Sequence, residues 1–243
     1  MDKHITVPMK KENVATLKAG DYVYLTGTVY TARDAAHKRM YEILQEGGEL
    51  PIDIQGQVIY YMGPSPAREG RPIGSAGPTT ASRMDKYAPQ LLDLGLGAMI
   101  GKGKRNQAVI DAIVRNGSVY FAAVGGAGAL LSKCITSSEV VAYDDLGTEA
   151  IRKLTVENFP VIVVIDKDGN NLYETAIKDY CRMEEKGIAT EKGELNRAIR
   201  KSNRLIKEIR AQIGNLKEWI AGDRKSTRLN SSHRSQSRMP SSA

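Results

Sequence analysis

The sequence predicts an α/β domain with a largely buried sheet, followed by an appended long C-terminal helix and a disordered tail. Three observations carry this reading. Residues 1–182 alternate strand-like and helix-like patterns with short turns between them. Residues 183–222 switch to a heptad spacing, and residues 223–243 are rich in Ser and Arg with no periodicity.

The first strand is Tyr22-Val23-Tyr24-Leu25-Thr26-Gly27-Thr28-Val29-Tyr30, which is β-rich and alternating. Thr31-Ala32-Arg33-Asp34 then reads as a helix start in which Thr31 caps and Asp34 sits at the third helical position. That helix runs through Ala35, Ala36, His37, Met40, Tyr41 and Leu44 towards Gly47-Gly48. Further strands are expected at 57–62, 98–100, 119–124, 140–143 and 161–165. Helices are expected at 88–94, 107–115, 127–134 and 148–154.

The C-terminal pieces have a different character. Leu195, Ile199, Ser202, Ile206, Ile209, Ile213, Leu216 and Ile220 form a heptad seam with one polar break. A helix over residues 194–221 would extend ~42 Å, longer than a domain of this size is wide. The string Gly187-Ile188-Ala189-Thr190-Glu191-Lys192-Gly193-Glu194-Leu195 and the steps after it resemble the helical segment of MobA/MobL-type mobilisation relaxases. None of the catalytic motifs of those enzymes is present. Asp223-Arg224-Lys225-Ser226-Thr227-Arg228-Leu229-Asn230-Ser231-Ser232-His233 is what one reading frame of a widely used sequencing-adapter oligonucleotide encodes. The tail is therefore excluded from functional reasoning.

Composition closes off several classes of function. The net charge of +7 invites a nucleic-acid reading, but residues 1–182 hold 21 basic and 21 acidic side chains, so the excess lies wholly in the C-terminal quarter. No run of apolar residues is long enough to span a bilayer. The first residues lack the apolar core of a secretory signal, and two distant cysteines, Cys134 and Cys181, agree with a reducing compartment, so a cytoplasmic location is expected. Residues 1–182 offer His4, His37 and those two cysteines, too few for a structural zinc site or a self-contained iron–sulfur cluster. No G-x-S-x-G nucleophile elbow occurs. Val124-Gly125-Gly126-Ala127-Gly128 imitates a dinucleotide fingerprint, but the third glycine is replaced by Leu131 and the run falls late in the domain.

Three places point to an anionic ligand. Gly74-Ser75-Ala76-Gly77-Pro78-Thr79-Thr80-Ala81-Ser82-Arg83 combines small residues, a stiff turn and a Thr pair able to cap a helix whose first turn carries Arg83. Arg33 lies at a helix start, where a cation opposes the helix dipole unless a carboxylate meets it. Gly101-Lys102-Gly103-Lys104-Arg105 follows a strand, placing a cation at a carboxyl end, where α/β sites tend to lie.

Together these strings are more specific than any one of them. Thr31-Ala32-Arg33-Asp34-Ala35-Ala36-His37, Tyr60-Tyr61-Met62-Gly63-Pro64, Ile73-Gly74-Ser75-Ala76-Gly77-Pro78-Thr79-Thr80, Met84-Asp85, Ile100-Gly101-Lys102-Gly103 and Val119-Tyr120-Phe121-Ala122-Ala123-Val124-Gly125-Gly126 occur in that order. In this the chain resembles the β subunit, or C-terminal domain, of class I iron–sulfur fumarate hydratases and L(+)-tartrate dehydratases, from about Ile5 to Tyr180. The resemblance implies a three-layer β/β/α swivelling domain over residues 1–182 that closes on a separate α subunit. That partner would hold a 4Fe-4S cluster through its own cysteines. By matching positions, Arg33, Arg83 and Lys102 would clamp a dicarboxylate such as fumarate or malate, and Thr79 would be the catalytic base. His37, on the helix face of Arg33, would support the site from behind. The expected function is reversible hydration of fumarate to (S)-malate. Its alternatives are the β subunit of an L(+)-tartrate dehydratase and, from another class, a DNA-processing accessory protein organised by the heptad helix.

Overall fold

A computed structural model describes residues 2–176, within the first of two units into which the chain divides, Met1–Lys178. The heptad segment, the Ser/Arg-rich tail and Cys181 lie outside the described residues. Strands and α-helices follow in the order β1 (Lys3–Val7), α1 (Lys11–Ala15), β2 (Tyr22–Thr31), α2 (Asp34–Gln45), β3 (Val58–Tyr60), α3 (Ala88–Asp93), β4 (Ala98–Gly101), α4 (Gln107–Asn116), β5 (Val119–Ala122), α5 (Gly128–Leu131), β6 (Ile135–Ala142) and β7 (Ile151–Ile165), and residues 172–176 are again helical at the end of the described range.

Strands β1 to β5 run parallel in sequence order, and β7 returns antiparallel to β5, β2 and β6. Because β7 pairs with β5 near its end and with β2 along most of its length, strands β2, β3, β4, β5 and β7 close into a ring. Strands β1 and β6 extend it. The register slips between Leu25 and Gly27 against β7. Gly27 has φ +130°, and a Cβ there would lie 2.1 Å from the Val7 carbonyl oxygen, so only glycine lets β1 lie this close to the bulge.

The two sheet faces are both buried, but by different partners. On β3, β4 and β5 the alternate residues Val58, Tyr60, Ala98, Ile100, Val119 and Phe121 face a core shared with residues of β1, β2 and β7. Their neighbours Ile59, Met99 and Tyr120 face a second core made with α2, α3 and α4 through Met40, Leu92 and Ile113. Every residue of these short strands is thus apolar, which is why they read as continuous hydrophobic runs. Tyr60 and Phe159 meet edge to face at 5.4 Å in the strand-lined core.

Local signals place most elements. Asn106 accepts from the Val109 N–H at 3.0 Å and opens α4, and Gly117 closes it in the left-handed conformation. Elsewhere the structure corrects the sequence reading. Thr31 does not cap α2; its hydroxyl donates to the Ala150 carbonyl and accepts from the Arg152 N–H, tying β2 to β7. Asp34 is the first residue of α2, with Arg33 at the cap position. The Thr79-Thr80 pair also makes no side-chain cap, and Arg83 lies in a four-residue 3-10 turn, Ala81–Met84. Residues 148–154 form no α-helix. A 3-10 segment, Asp144–Glu149, leads directly into β7, whose inward Ile151, Leu154 and Val156 mimic helical spacing across the strand. Strand β6 begins at Ile135, earlier than expected, while β1 and α1 were not anticipated.

Candidate active site

The parallel strands β2, β3, β4 and β5 deliver their carboxyl ends to one side of the molecule. Arg33 follows β2, the Thr79–Arg83 segment lies on the connection after β3, Lys102 follows β4, and the Gly125–Gly128 run follows β5. The anion-seeking pieces of the sequence are therefore neighbours because their strands are.

Backbone hydrogen bonds join them. Thr79 donates its N–H to the Tyr61 carbonyl at 2.7 Å, Lys102 donates to the Thr79 carbonyl at 3.2 Å, and Ala81 donates to the Lys102 carbonyl at 2.8 Å. The Thr79 turn thus lies beside the end of β4 as a short parallel bridge, Thr80 opposite Lys102. Ala76 donates to the Gly128 carbonyl at 3.0 Å, so the glycine run after β5 packs on the Gly74–Thr80 turn. That contact requires Gly128 to be small, since a Cβ there would lie 2.5 Å from Ser75 Oγ and 2.8 Å from the Gly77 nitrogen. Thr79 is half-buried, and Lys102 is exposed and forms no ion pair with a described residue.

Arg33 and Arg83 meet through one carboxylate. Arg83 Nε lies 2.8 Å from Asp34 Oδ1, and Arg33 Nη2 lies 3.9 Å from Asp34 Oδ2. Arg33 Nη2 also lies 3.3 Å from Glu149 Oε1, while Glu149 Oε2 accepts the Ala35 N–H at 2.8 Å. Glu149 is the cap of α2, delivered from 114 residues away. The carboxylate that Arg33 requires at a helix start is therefore first of all an internal one. Gly63 completes the setting: a Cβ there would lie 2.7 Å from Arg33 Nη1 and 2.9 Å from the Thr148 carbonyl oxygen. Arg33 Nε and Asp34 Oδ2 are buried and have no hydrogen-bond partner.

His37 sits directly behind this pair. Its Nδ1 and its N–H both meet the Arg33 carbonyl, at 2.9 and 2.8 Å, which makes Nδ1 the donor, and its ring contacts Tyr61 edge-on at 5.2 Å. Its Nε2 is buried without a partner. Burial, aided by the Arg105 charge, pushes the imidazole pKa down to about 4, against the hydrogen bond to Arg33 and the Asp34 charge. The ring is therefore neutral at physiological pH, and its hydrogen bond ties it to the Arg33 backbone.

Beneath Thr79 and Lys102 lies a second ion pair that sequence reading passed over. Arg105 Nε donates to Asp85 Oδ1 at 2.5 Å, with side chains 0% and 7% exposed. The string Met84-Asp85 and the basic run 102–105 contain both partners, but nothing in either string signals their pairing. Glu149 and Gly63 were likewise unassigned, and Glu149 carries no local signal at all.

Among the described residues no three His, Cys, Asp or Glu side chains come together in a way that could hold a metal ion. Cys134 is half-buried, and burial raises its thiol pKa. No helix among the described residues is long and apolar enough to cross a membrane.

Over 160 residues the chain is 43% identical to the anaerobic class I fumarate hydratase of Escherichia coli, covering 65% of this chain and 29% of that enzyme. It is 38% identical over 170 residues to fumarate hydratase 2 of Leishmania major, covering 69% and 30%. It is also 38% identical over 176 residues to a Methanocaldococcus jannaschii protein assigned as L(+)-tartrate dehydratase subunit beta, covering 70% of this chain and 90% of that one. The chain thus spans less than a third of the length of the fumarate hydratases it matches, and nearly all of the tartrate dehydratase subunit. Residues 2–176 match the Fumarase C-terminus family throughout, and it is to this family that the chain belongs.

Proposed function

We propose that this chain is the β subunit of a fumarate hydratase, interconverting fumarate and (S)-malate by reversible addition of water. In this reading the domain swivels to close on a separate α subunit, in the cytoplasm, and that subunit holds the 4Fe-4S cluster. Among the described residues of this chain no three His, Cys, Asp or Glu side chains come together as ligands for such a cluster.

Arg33, Arg83 and Lys102 bind the substrate. A dicarboxylate brings two negative charges, and a charge-assisted hydrogen bond to each cation is worth about 1.5–3 kcal/mol. One substrate carboxylate replaces Asp34 on Arg83, whose side chain is half exposed at 50% and open to exchange. Lys102, which has no ion-pair partner among the described residues, takes the other. The same cations stabilise the extra charge that develops on a carboxylate when the neighbouring carbon loses its proton. Thr79 takes that proton. A free hydroxyl is a weak base, and Thr79 needs neighbouring cations or an Asp of the partner subunit to share its proton.

The observation that carries this reading is the convergence of Arg33, Arg83, Thr79 and Lys102 beyond the carboxyl ends of three adjacent strands, β2, β3 and β4, in a chain of this family. Its test is reconstitution of the chain with a cluster-binding α subunit without oxygen, followed by loss of the fumarate ultraviolet absorbance. Thr79→Ala is expected to abolish turnover while (S)-malate binding persists; near-normal turnover would remove Thr79 from the reaction.

A second reading, the β subunit of an L(+)-tartrate dehydratase, is supported by the relative named as such a subunit, 90% of which this chain covers. The same clamp serves both substrates, which differ by one hydroxyl, and parallel assays with L(+)-tartrate separate them. The balanced charge of residues 1–182 speaks against a DNA-processing role. The reading also takes 1–182 as the hydro-lyase domain, 183–222 as a foreign helical segment and 223–243 as an artefact. A single long read across codons 170–243 tests those boundaries, with a stop codon near position 182 expected.

A further inference from the structure

We propose that Asp85 and Arg105 are a positioning pair that fixes the Thr79–Arg83 segment against the Lys102 loop, an inference that rests on the dicarboxylate reading and extends it to residues that touch no substrate. A buried ion pair is weak evidence for stability, because desolvating two charges offsets most of their attraction. Its retention at this place therefore calls for a different reason. Asp85 lies two residues after Arg83, and Arg105 lies three residues after Lys102, so the pair links the two segments that carry the clamp.

The linkage extends to backbone contacts on both sides of the clamp. Asp85 Oδ2 accepts the Asn106 N–H at 2.7 Å, which fixes the exit of the Lys102 loop at the cap of α4. The Arg105 guanidinium packs against the rings of Tyr61 and Tyr120 at 5.4 and 5.0 Å, and its Nη2 donates to the Tyr61 hydroxyl at 3.5 Å. Its Nη1 lies 3.3 Å from the Met99 sulfur. Tyr61 is the residue whose carbonyl receives the Thr79 N–H, and Tyr120 donates its hydroxyl to the Gly103 carbonyl at 3.0 Å, one residue past Lys102. One guanidinium thus braces the turn before the clamp, the turn after it and the strand beneath it. A lysine could carry the charge but not this planar set of contacts.

The test uses the full chain with Arg105→Lys and with the double variant Asp85→Leu/Arg105→Met, in which both charges are replaced by apolar groups so that neither is left buried alone. Amide hydrogen exchange at Thr79, Ala81 and Lys102 is the first readout and needs no ligand. In both variants these three amides are expected to exchange at least tenfold faster than in the unaltered chain, with the core amides of β4 and β5 unchanged. A purely structural role would speed all amides together. Unchanged exchange at the three amides in either folded variant overturns the proposal, and Arg105→Lys supplies the answer where the double variant does not fold. Titration with (S)-malate is the second readout, with an affinity loss of tenfold or more expected in the same variants. An unaltered chain that fails to bind malate counts against the dicarboxylate reading, while the exchange result still decides whether the pair positions the loops.

Discussion

Two arginine–aspartate contacts lie on adjacent turns of this molecule and differ in almost every physical respect. Arg105 and Asp85 are sealed from solvent, joined at 2.5 Å and packed between aromatic rings. Arg33 and Arg83 share Asp34 at the surface, with side chains 22%, 50% and 30% exposed. A buried pair cannot exchange partners without stranding a charge, whereas a half-exposed carboxylate can be replaced by another from solution. The difference teaches that only Arg33 and Arg83 can change partners without stranding a buried charge.

The largest expected effect breaks the buried side of this comparison. Arg105→Met alone leaves Asp85 buried without its counter-charge and is expected to lower stability by about 3–5 kcal/mol. Denaturant unfolding of the full chain checks this, and a loss below ~1 kcal/mol would mean that water reaches Asp85.

His37 stands between the two pairs and offers a pH measurement. Its folded pKa, depressed to about 4, lies below the ordinary 6.5, so the folded chain resists a proton that the unfolded chain accepts. Its contribution is complete above pH 6.5 and is lost as pH falls from about 6.5 to about 4, by about 3 kcal/mol at most. The measurement is the stability difference between the chain and His37→Asn, which is expected to narrow over that window; a constant difference would show that the ring takes up its proton as readily folded as unfolded.

Glu149 sharpens the exposed side. Glu149→Gln keeps an acceptor for the Ala35 N–H but removes the charge facing Arg33, with an expected cost of about 0.5–2 kcal/mol, as for a lost helix cap. Hydrogen exchange at Ala35 and His37 locates that cost at the start of α2. The smallest effect on stability belongs to Lys102→Met, within about 0.5 kcal/mol for an exposed side chain of this kind. The same variant is expected to weaken (S)-malate binding at least tenfold, so calorimetric titration beside thermal unfolding separates a ligand-facing cation from a structural one.

Most of the fold was legible because its signals are local. The runs at 58–60, 98–101 and 119–122 are apolar at every position, which marks strands covered on both faces, and Asn106 and Gly117 bracket α4 with ordinary cap chemistry. Residues 148–154 were misread because a strand that turns its face between two cores places Ile151 and Leu154 at a spacing shared with a helix. Thr31 was misread as a cap because a threonine before an apolar run has the right chemistry, and only the arrival of β7 gives its hydroxyl another partner.

The candidate site divides in the same way. Arg33, Arg83, Lys102 and the Thr79 turn could be picked from the sequence because glycine-rich turns and cations at strand ends have a local chemical meaning. The sequence by itself determined the strands, the turns after them and the charges those turns carry, since each depends on side chains within a few residues. Tertiary structure alone decided that Glu149 would cap a helix 114 residues away, that Asp34 would hold two arginines together, and that Arg105 would lie buried while Lys102 three residues earlier faces solvent. The burial of a charge depends on which rings and carboxylates surround it, and those arrive only when distant strands close into one sheet.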